Sequence, residues 1–291
     1  MTMPPLLRVL RPHQWSKNLL VFVSLLAGHQ INDSRLLALT ALCFAAFCLA
    51  ASCSYIVNDL ADLRDDQAHP LKRLRPLASG ALRPATAAFA AMVLLSAAFG
   101  LALAVSLELG LCLGGYVLAS QAYTFWAKRK LALDIVFLAG LYTVRIIAGV
   151  VVSGVNPSFW LLAFSMFLFF SLASLKRYVE IASRGDAALE AFSARAYRAA
   201  DAAMVSTLGI GSGLVSVLVL AFYLDSREVI RLYSTPGLLW LACPLLLYWI
   251  ARVWMLAGRN AVHDDPIVFA LRDPASYVLL GLLACIVVAA T

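Results

Sequence analysis

Long apolar runs separated by short polar clusters make up almost the whole chain. The runs are continuous and do not alternate between apolar and polar positions, so they read as helices and not as strands. Nine of them, at roughly residues 18–30, 36–57, 85–107, 109–126, 131–152, 159–179, 205–224, 236–256 and 275–290, approach or reach the ~20 residues that a helix needs to cross a ~30 Å hydrocarbon core. Lipid admits only helices and closed barrels, because every backbone polar group must find a partner inside the structure. The expected fold is therefore all-α, a polytopic integral membrane protein with about nine transmembrane helices. The first run is short, and a cleaved leader is its competing reading. No small-residue cleavage site follows it, and the basic loops beyond need this span for their sidedness.

Composition agrees with that class. Of 291 residues, 63% are hydrophobic and 13% charged, and the mean hydropathy is +0.87, outside the usual range of a soluble domain. No linker, low-complexity tract or separable soluble module interrupts the runs, so residues 1–291 are expected to form one domain.

Charge changes the picture by adding sidedness. Arg35, Arg227 and Arg231 fall on one side of the predicted spans, Arg145 lies within one, and the other nineteen of the 23 Lys and Arg residues fall on the opposite side. Positive charge marks the cytoplasmic face, which places the amino terminus and the polar loops at the cytoplasmic side of a bacterial-type inner (plasma) membrane. The net charge of +7 is thus mainly an orientation signal. It makes no case for nucleic acid, for which the chain has neither motif nor soluble basic domain. The six cysteines sit in apolar runs without CxxC spacing and read as packing residues.

The second, fourth, sixth and eighth runs each deliver a polar cluster to that same side: "NDLADLRDD", "YTFWAKRKLALD", "SLKRYVE" and "RNAVHDDP". A site assembled from several helix ends is the natural inference. In the first cluster, Asn58, Asp62 and Asp66 are four residues apart and Asp59 lies three before Asp62, so a helix turns them to one face. Stacked carboxylates near lipid are costly unless a cation sits among them, and hard oxygen donors at this spacing suit Mg²⁺ with a bound diphosphate as co-ligand. Pro70 then ends the helix, and Lys72, Arg73 and Arg75 follow in a loop able to fold over a polyanion. A solvated loop whose acids balance its bases is the alternative at this point.

"NDLADLRDD" resembles the NDxxDxxxD signature of the UbiA superfamily of intramembrane prenyltransferases, and the number of spans with polar cytoplasmic loops resembles its helical bundle. "LRPHQWSKNLLVF" and "HPLKRLRPLASG" resemble the branch that transfers phosphoribose to polyprenyl phosphate, the decaprenyl-phosphate phosphoribosyltransferases. The resemblance covers most of the chain, strongest from Arg11 to Gly80 and weaker after Arg184. It implies that Asn58, Asp59, Asp62 and Asp66 hold Mg²⁺ and the donor's pyrophosphate, with the three aspartates as the catalytic set. It also implies a second polar motif in Tyr123, Lys128 and Asp134. The aromatic prenyltransferases resemble one another in a second aspartate-rich pair there, whereas "AKRKLALD" has a single acid after three bases.

That departure favours a donor with more than one anion. Phosphoribosyl pyrophosphate brings a 5-phosphate besides its pyrophosphate, and a polyprenyl phosphate acceptor adds a third anionic group. Lys72, Arg73, Arg75, Lys128, Arg129, Lys130, Lys176 and Arg177 supply more cationic groups than one diphosphate needs, and Lys17 is a further candidate substrate contact, although positive-inside bias enriches the same loops. Lys176 and Arg177 also end a helix, where the dipole favours cations.

Arg145 is a guanidinium within a span, a costly placement that points to a cavity or a partner. It lies eleven residues after Asp134, on the same helix face but roughly 16 Å along it, which excludes an intrahelical ion pair. Contact with the acceptor phosphate and a structural pair with an acid on another helix are both open. Asp264 and Asp265 read as a further metal contact or as a helix cap before Pro266. Trp15, Trp126, Trp160 and Trp240 read as an interfacial belt. His13, His29, His69 and His263 show no metal-ligand spacing.

The expected activity is Mg²⁺-dependent transfer of 5-phosphoribose to a polyprenyl phosphate lipid, with pyrophosphate leaving. The alternatives are prenyl transfer to an aromatic acceptor and, more distantly, a transporter or scaffold. Charge gathered at one face rather than at the bilayer midplane counts against transport. Lipid chain length and assembly into a homo-oligomer are left open.

Overall fold

The computed structural model describes residues 4–155, 158–182, 197–262, 265–270 and 272–291, without the side chains of Glu228 and Ile267. Arg184, Arg195, His263 and Asp264 lie outside the described residues. Among the described residues the structure is helical throughout, without strands.

The chain divides into two compact units. The described residues of the first are 4–137 and 144–155. Its described helices are α1 (Pro5–Leu10), α2 (Val23–Ala27), α3 (Ser34–Ala61), α4 (Leu63–Ala68), α5 (Pro84–Val105), α6 (Leu107–Phe125) and most of α7 (Leu133–Ser153). Residues 138–143 of α7 cluster with the second unit, which further holds α8 (Phe159–Ala182), α9 (Ala202–Leu224), α10 (Arg227–Leu232), α11 (Ala242–Gly258), α12 (Pro266–Ala270) and α13 (Pro274–Ala290).

Six helices among the described residues are long and apolar enough to cross a membrane, which makes this an integral membrane protein. They correspond to the predicted spans within 36–57, 85–107, 131–152, 159–179, 205–224 and 236–256. The other three predicted runs take different forms. Residues 12–22 are a 3₁₀ segment followed by the five-residue α2, α13 is a shorter apolar helix, and α6 is an intact 19-residue helix with Glu108 in its first turn. The predicted first span, residues 18–30, holds only thirteen residues, and its helix stops at Ala27 before Gly28, too short for a membrane-long α-helix.

In the first unit, α3 lies along α5 through small side chains. Ala87, Ala91, Ala98 and Ala102 are buried at helical spacing, while Phe89, Met92, Val93 and Leu103 on the other side of α5 are exposed. Small residues let helix backbones approach where lipid provides no hydrophobic drive, and the large ones face the tails. A cluster of Val9, Cys53, Ile56, Leu77, Leu82 and Ala87 ties α1 and the loop after α4 to the carboxyl end of α3. Trp15 Nε1 donates to Ser52 Oγ at 3.0 Å, and that hydroxyl donates to the Leu10 carbonyl at 2.9 Å. Trp15 therefore fixes the amino-terminal segment to α3.

Gly149 marks the tightest approach in this unit. A Cβ at that position would stand 2.0 Å from the Val21 carbonyl oxygen and 2.7 Å from Ser24 Oγ. Gly149→Ala is expected to lower the thermal midpoint in detergent, at a cost of about 1–3 kcal/mol, because backbone has to move. Gly140→Ala on the same helix, where an added methyl meets open space, should leave it unchanged or raise it. Scanning fluorimetry of the pair checks the contrast.

In the second unit, α8 packs on α9 by the same small-residue logic. A Cβ at Gly209 would lie 2.3 Å from the Trp254 ring and 2.7 Å from Ser174 Cβ. Trp254 Nε1 donates to Ser171 Oγ at 3.1 Å. Asp273 caps α13 through the Ser276 amide and takes both terminal nitrogens of Arg252, at 2.7 and 2.9 Å. Burial pushes its carboxyl up, but the hydrogen bonds from Arg252 and Ser276 outweigh this and hold it below the usual carboxylate range.

Candidate functional site

The acidic cluster spans the junction of α3 and α4. Asp62 closes α3 with φ −95° and ψ 10°. Its amide nevertheless bonds the Asn58 carbonyl at 2.9 Å, and the Asp66 amide bonds the Asp62 carbonyl at 2.8 Å. The hydrogen-bond ladder therefore runs through the break, and the four side chains keep a helical phase.

That phase sorts them into two pairs. Lys128 Nζ donates to Asp62 Oδ1 at 2.5 Å and to Asn58 Oδ1 at 3.4 Å. Arg75 Nη1 donates to Asp66 Oδ2 at 2.6 Å and to Asp59 Oδ1 at 3.1 Å. The four positions lie within an arc of about 100°, and inside it they sort into the two pairs. Four-residue steps drift roughly 40° each, so Asp66 stands about 80° from Asn58, while the seven-residue step from Asp59 returns within roughly 20°. Asp59 and Asp66 are each 2% exposed and Lys128 is 5% exposed, so these groups depend on their ionic partners. Burial pushes the Asp66 carboxyl above its ordinary value, against the opposing pull of Arg75 and Lys72.

Asp59 has a further partner that sequence reasoning treated only as an orientation charge. Arg11 Nη2 donates to Asp59 Oδ1 at 2.6 Å, and its guanidinium lies 5.2 Å over the Tyr55 ring. Arg11 stands between α1 and the 3₁₀ segment in the left-handed region, φ 52° and ψ 59°. A non-glycine residue there costs about 1 kcal/mol, which its contacts with Asp59 and Tyr55 offset. The one available signal was its place at the start of the "RPHQW" stretch, because the acid it meets lies 48 residues away.

The loop after α4 delivers Arg75. His69 ends the helix in an extended conformation, as the residue before a proline prefers, and its Nδ1 accepts from the Leu71 and Lys72 amides. A 3₁₀ turn, Lys72–Leu74, carries half-buried Lys72 and exposed Arg73. Arg8 Nη2 reaches the Leu74 carbonyl at 3.3 Å. Arg8, Arg11, His13 and Arg75 line a cleft of about 320 Å³ beside Asp59 and Pro76.

Of the second predicted motif, Lys128 reaches the acids, Tyr123 is half-buried on α6, and Asp134 is fully buried in the first turn of α7. Lys17 and Asn18 are buried in the 3₁₀ segment. Arg145, 4% exposed, donates from Nε to Asn18 Oδ1 at 2.7 Å and from Nη2 to Tyr116 Oη at 3.1 Å, with its guanidinium 4.8 Å over the Tyr116 ring. Lys176 and Arg177 belong to the second unit. There Lys176 Nζ meets Asp265 Oδ2 at 3.1 Å, and buried Arg177 pairs with Glu180 and lies over the Tyr197 ring. Asp265 stands at the start of α12, its carbonyl accepting from the Phe269 amide.

The donor chemistry fits Mg²⁺. Each oxygen pair converges on one cationic nitrogen, Lys128 Nζ or Arg75 Nη1, which stands in for a cation at that place. Among the described residues no three His, Cys, Asp or Glu side chains gather at one point. Mg²⁺ commonly takes one or two carboxylates and completes its octahedron with water and phosphate oxygens, which suits paired donors.

Comparison with known proteins agrees with this architecture. The UbiA prenyltransferase family matches residues 19–273. The chain is 37% identical over 276 residues to the protein y4nM of Sinorhizobium fredii, covering 94% of this chain and 54% of that protein. It thus spans about half the length of that relative. It is 33% identical over 274 residues to nodulation protein NoeC of Azorhizobium caulinodans, covering 94% and 89% of the two. It is 30% identical over 281 residues to the decaprenyl-phosphate phosphoribosyltransferase of Mycolicibacterium smegmatis, covering 94% and 88%. In fold it matches a UbiA homologue from Archaeoglobus fulgidus, solved bound to GPP and Mg²⁺, with a TM-score of 0.75 at 15% identity over 97% of this chain and 99% of that one.

Proposed function

Because the chain belongs to the UbiA prenyltransferase family and is a membrane transferase of that family, we propose that it moves 5-phosphoribose from phosphoribosyl pyrophosphate to a polyprenyl phosphate. The observation that carries this reading is the cationic surround of the acids. Arg11, Arg75 and Lys128 converge on them from three separate segments, a supply suited to a substrate pair with several phosphate groups. Relatives named decaprenyl-phosphate phosphoribosyltransferase support it further. In this proposal the reaction takes place at the cytoplasmic face of the inner membrane, where the Lys and Arg residues gather, and the family match across both units supports a single transferase domain.

In this reading Asn58 with Asp62, and Asp59 with Asp66, hold Mg²⁺. When bound, the ion neutralises the leaving pyrophosphate. Arg75, Lys72 and Arg73 close over the same polyanion from the loop, and Lys128 turns its ammonium from the acids to the phosphate oxygens. Tyr123 and Asp134 flank Lys128 in chain order and complete the second polar motif. Lys17 serves the acceptor phosphate, Arg145 holds Asn18 and Tyr116 and so acts on the fold, and Lys176 and Arg177 keep to the second unit. Cleavage of the ribose C1–O bond proceeds with oxocarbenium character. The acceptor phosphate is already an anion near neutral pH, so its oxygen attacks C1 with no general base.

The test is a product assay with the purified chain in lipid. Labelled phosphoribosyl pyrophosphate with polyprenyl phosphate is expected to give a labelled lipid that EDTA abolishes. Product only from prenyl diphosphate and hydroxybenzoate would replace this reading with aromatic prenyl transfer.

A further inference from the structure

We infer that the cleft lined by Arg8, Arg11, His13 and Arg75 is a phosphate-monoester site that seats the 5-phosphate of the donor, remote from its pyrophosphate. The inference rests on the phosphoribosyl reading for the identity of the donor, but the cleft stands on its own geometry. Its volume, about 320 Å³, lies at the small end of ligand pockets. Three guanidinium groups line it against one carboxylate, Asp59, so a surplus of positive charge faces the space.

Those cations are held in place. Arg11 is fixed by its left-handed backbone, by Asp59 at 2.6 Å and by the Tyr55 ring. Arg75 is fixed by Asp59 and Asp66. Arg8 gives one nitrogen to the Leu74 carbonyl and is otherwise exposed. Guanidinium forks prepared in this way recognise phosphate oxygens at little ordering cost.

Arg75 also sets the direction of the ligand. It touches the Asp59 and Asp66 pair and lines the cleft, so the two places share one side chain. A donor with anionic groups at both ends of a pentose can occupy both places at once. A prenyl diphosphate would turn its hydrocarbon tail toward a cationic wall, or leave the cleft unused. Arg8 and His13 thereby become specificity residues for the donor.

The test uses the full chain in nanodiscs and three probes: ribose 5-phosphate, inorganic pyrophosphate with Mg²⁺, and a short polyprenyl phosphate. Arg8→Gln combined with His13→Gln changes two exposed side chains, and elution identical to wild type verifies the fold. Calorimetry should show ribose 5-phosphate binding weakened about tenfold or more, with pyrophosphate binding unchanged. Asp62→Asn should do the reverse. Equal weakening of both ligands, or no change in ribose 5-phosphate affinity, overturns the proposal. Loss confined to polyprenyl phosphate assigns the cleft to the acceptor and also overturns it. Failure of the transfer reading looks different: wild type would form no labelled lipid, while the double variant still lost ribose 5-phosphate.

Discussion

Asp62→Asn is expected to lower turnover by about two to three orders of magnitude while the protein still inserts and folds. The substitution keeps the shape and one oxygen but removes the charge on which Lys128 Nζ rests at 2.5 Å. Asp62 is about one-fifth exposed at its side chain, and the Lys128 ammonium retains Asn58 Oδ1, so the structural cost should stay near 1 kcal/mol. Single-turnover product formation in nanodiscs, measured beside the thermal midpoint, separates the two effects. Wild-type turnover in a properly folded variant would remove Asp62 from the metal and pyrophosphate machinery.

Arg145→Ala is expected to act mainly on the fold. Its guanidinium bonds Asn18 and Tyr116 and stacks on the Tyr116 ring, and Asn18 in turn donates to Cys48 Sγ. Truncation strips buried polar atoms of their donor and opens a cavity, a combination that costs about 3 kcal/mol or more. The measured result should be a large fall in thermal midpoint and in yield of monodisperse protein. Arg145→Lys should restore little, because one ammonium cannot satisfy two partners that the planar fork reaches from separate nitrogens. An unchanged midpoint with weaker polyprenyl phosphate binding would instead make Arg145 a direct contact to the acceptor.

Much of this was legible in the chain. The apolar runs were long enough to announce membrane helices, and the acids stood out because so few charges occur elsewhere. The finer geometry was not legible, for particular reasons. Asp66 joins Asp59 and not Asp62 because drift accumulates over successive four-residue steps, which a spacing rule of thumb conceals. Arg75 was expected to clamp a ligand from its loop, and it also bridges two acids. Arg11 escaped notice because its role depends on a left-handed turn and on a partner brought near only by packing of α1 against α3. The first predicted span, residues 18–30, does not form one membrane-long helix, because its first five residues belong to a 3₁₀ segment and α2 stops at Ala27 before Gly28.

If the acids hold Mg²⁺ as proposed, the seat that Lys128 occupies between Asn58 and Asp62 makes ion uptake a substitution and not an addition. A dication settling on those oxygens must evict a monovalent amine, so the local gain is one unit of charge. Part of the binding energy would go to that displacement. In that reading the same amine would reclaim its place when pyrophosphate departs, so emptying the site would leave no bare carboxylate behind.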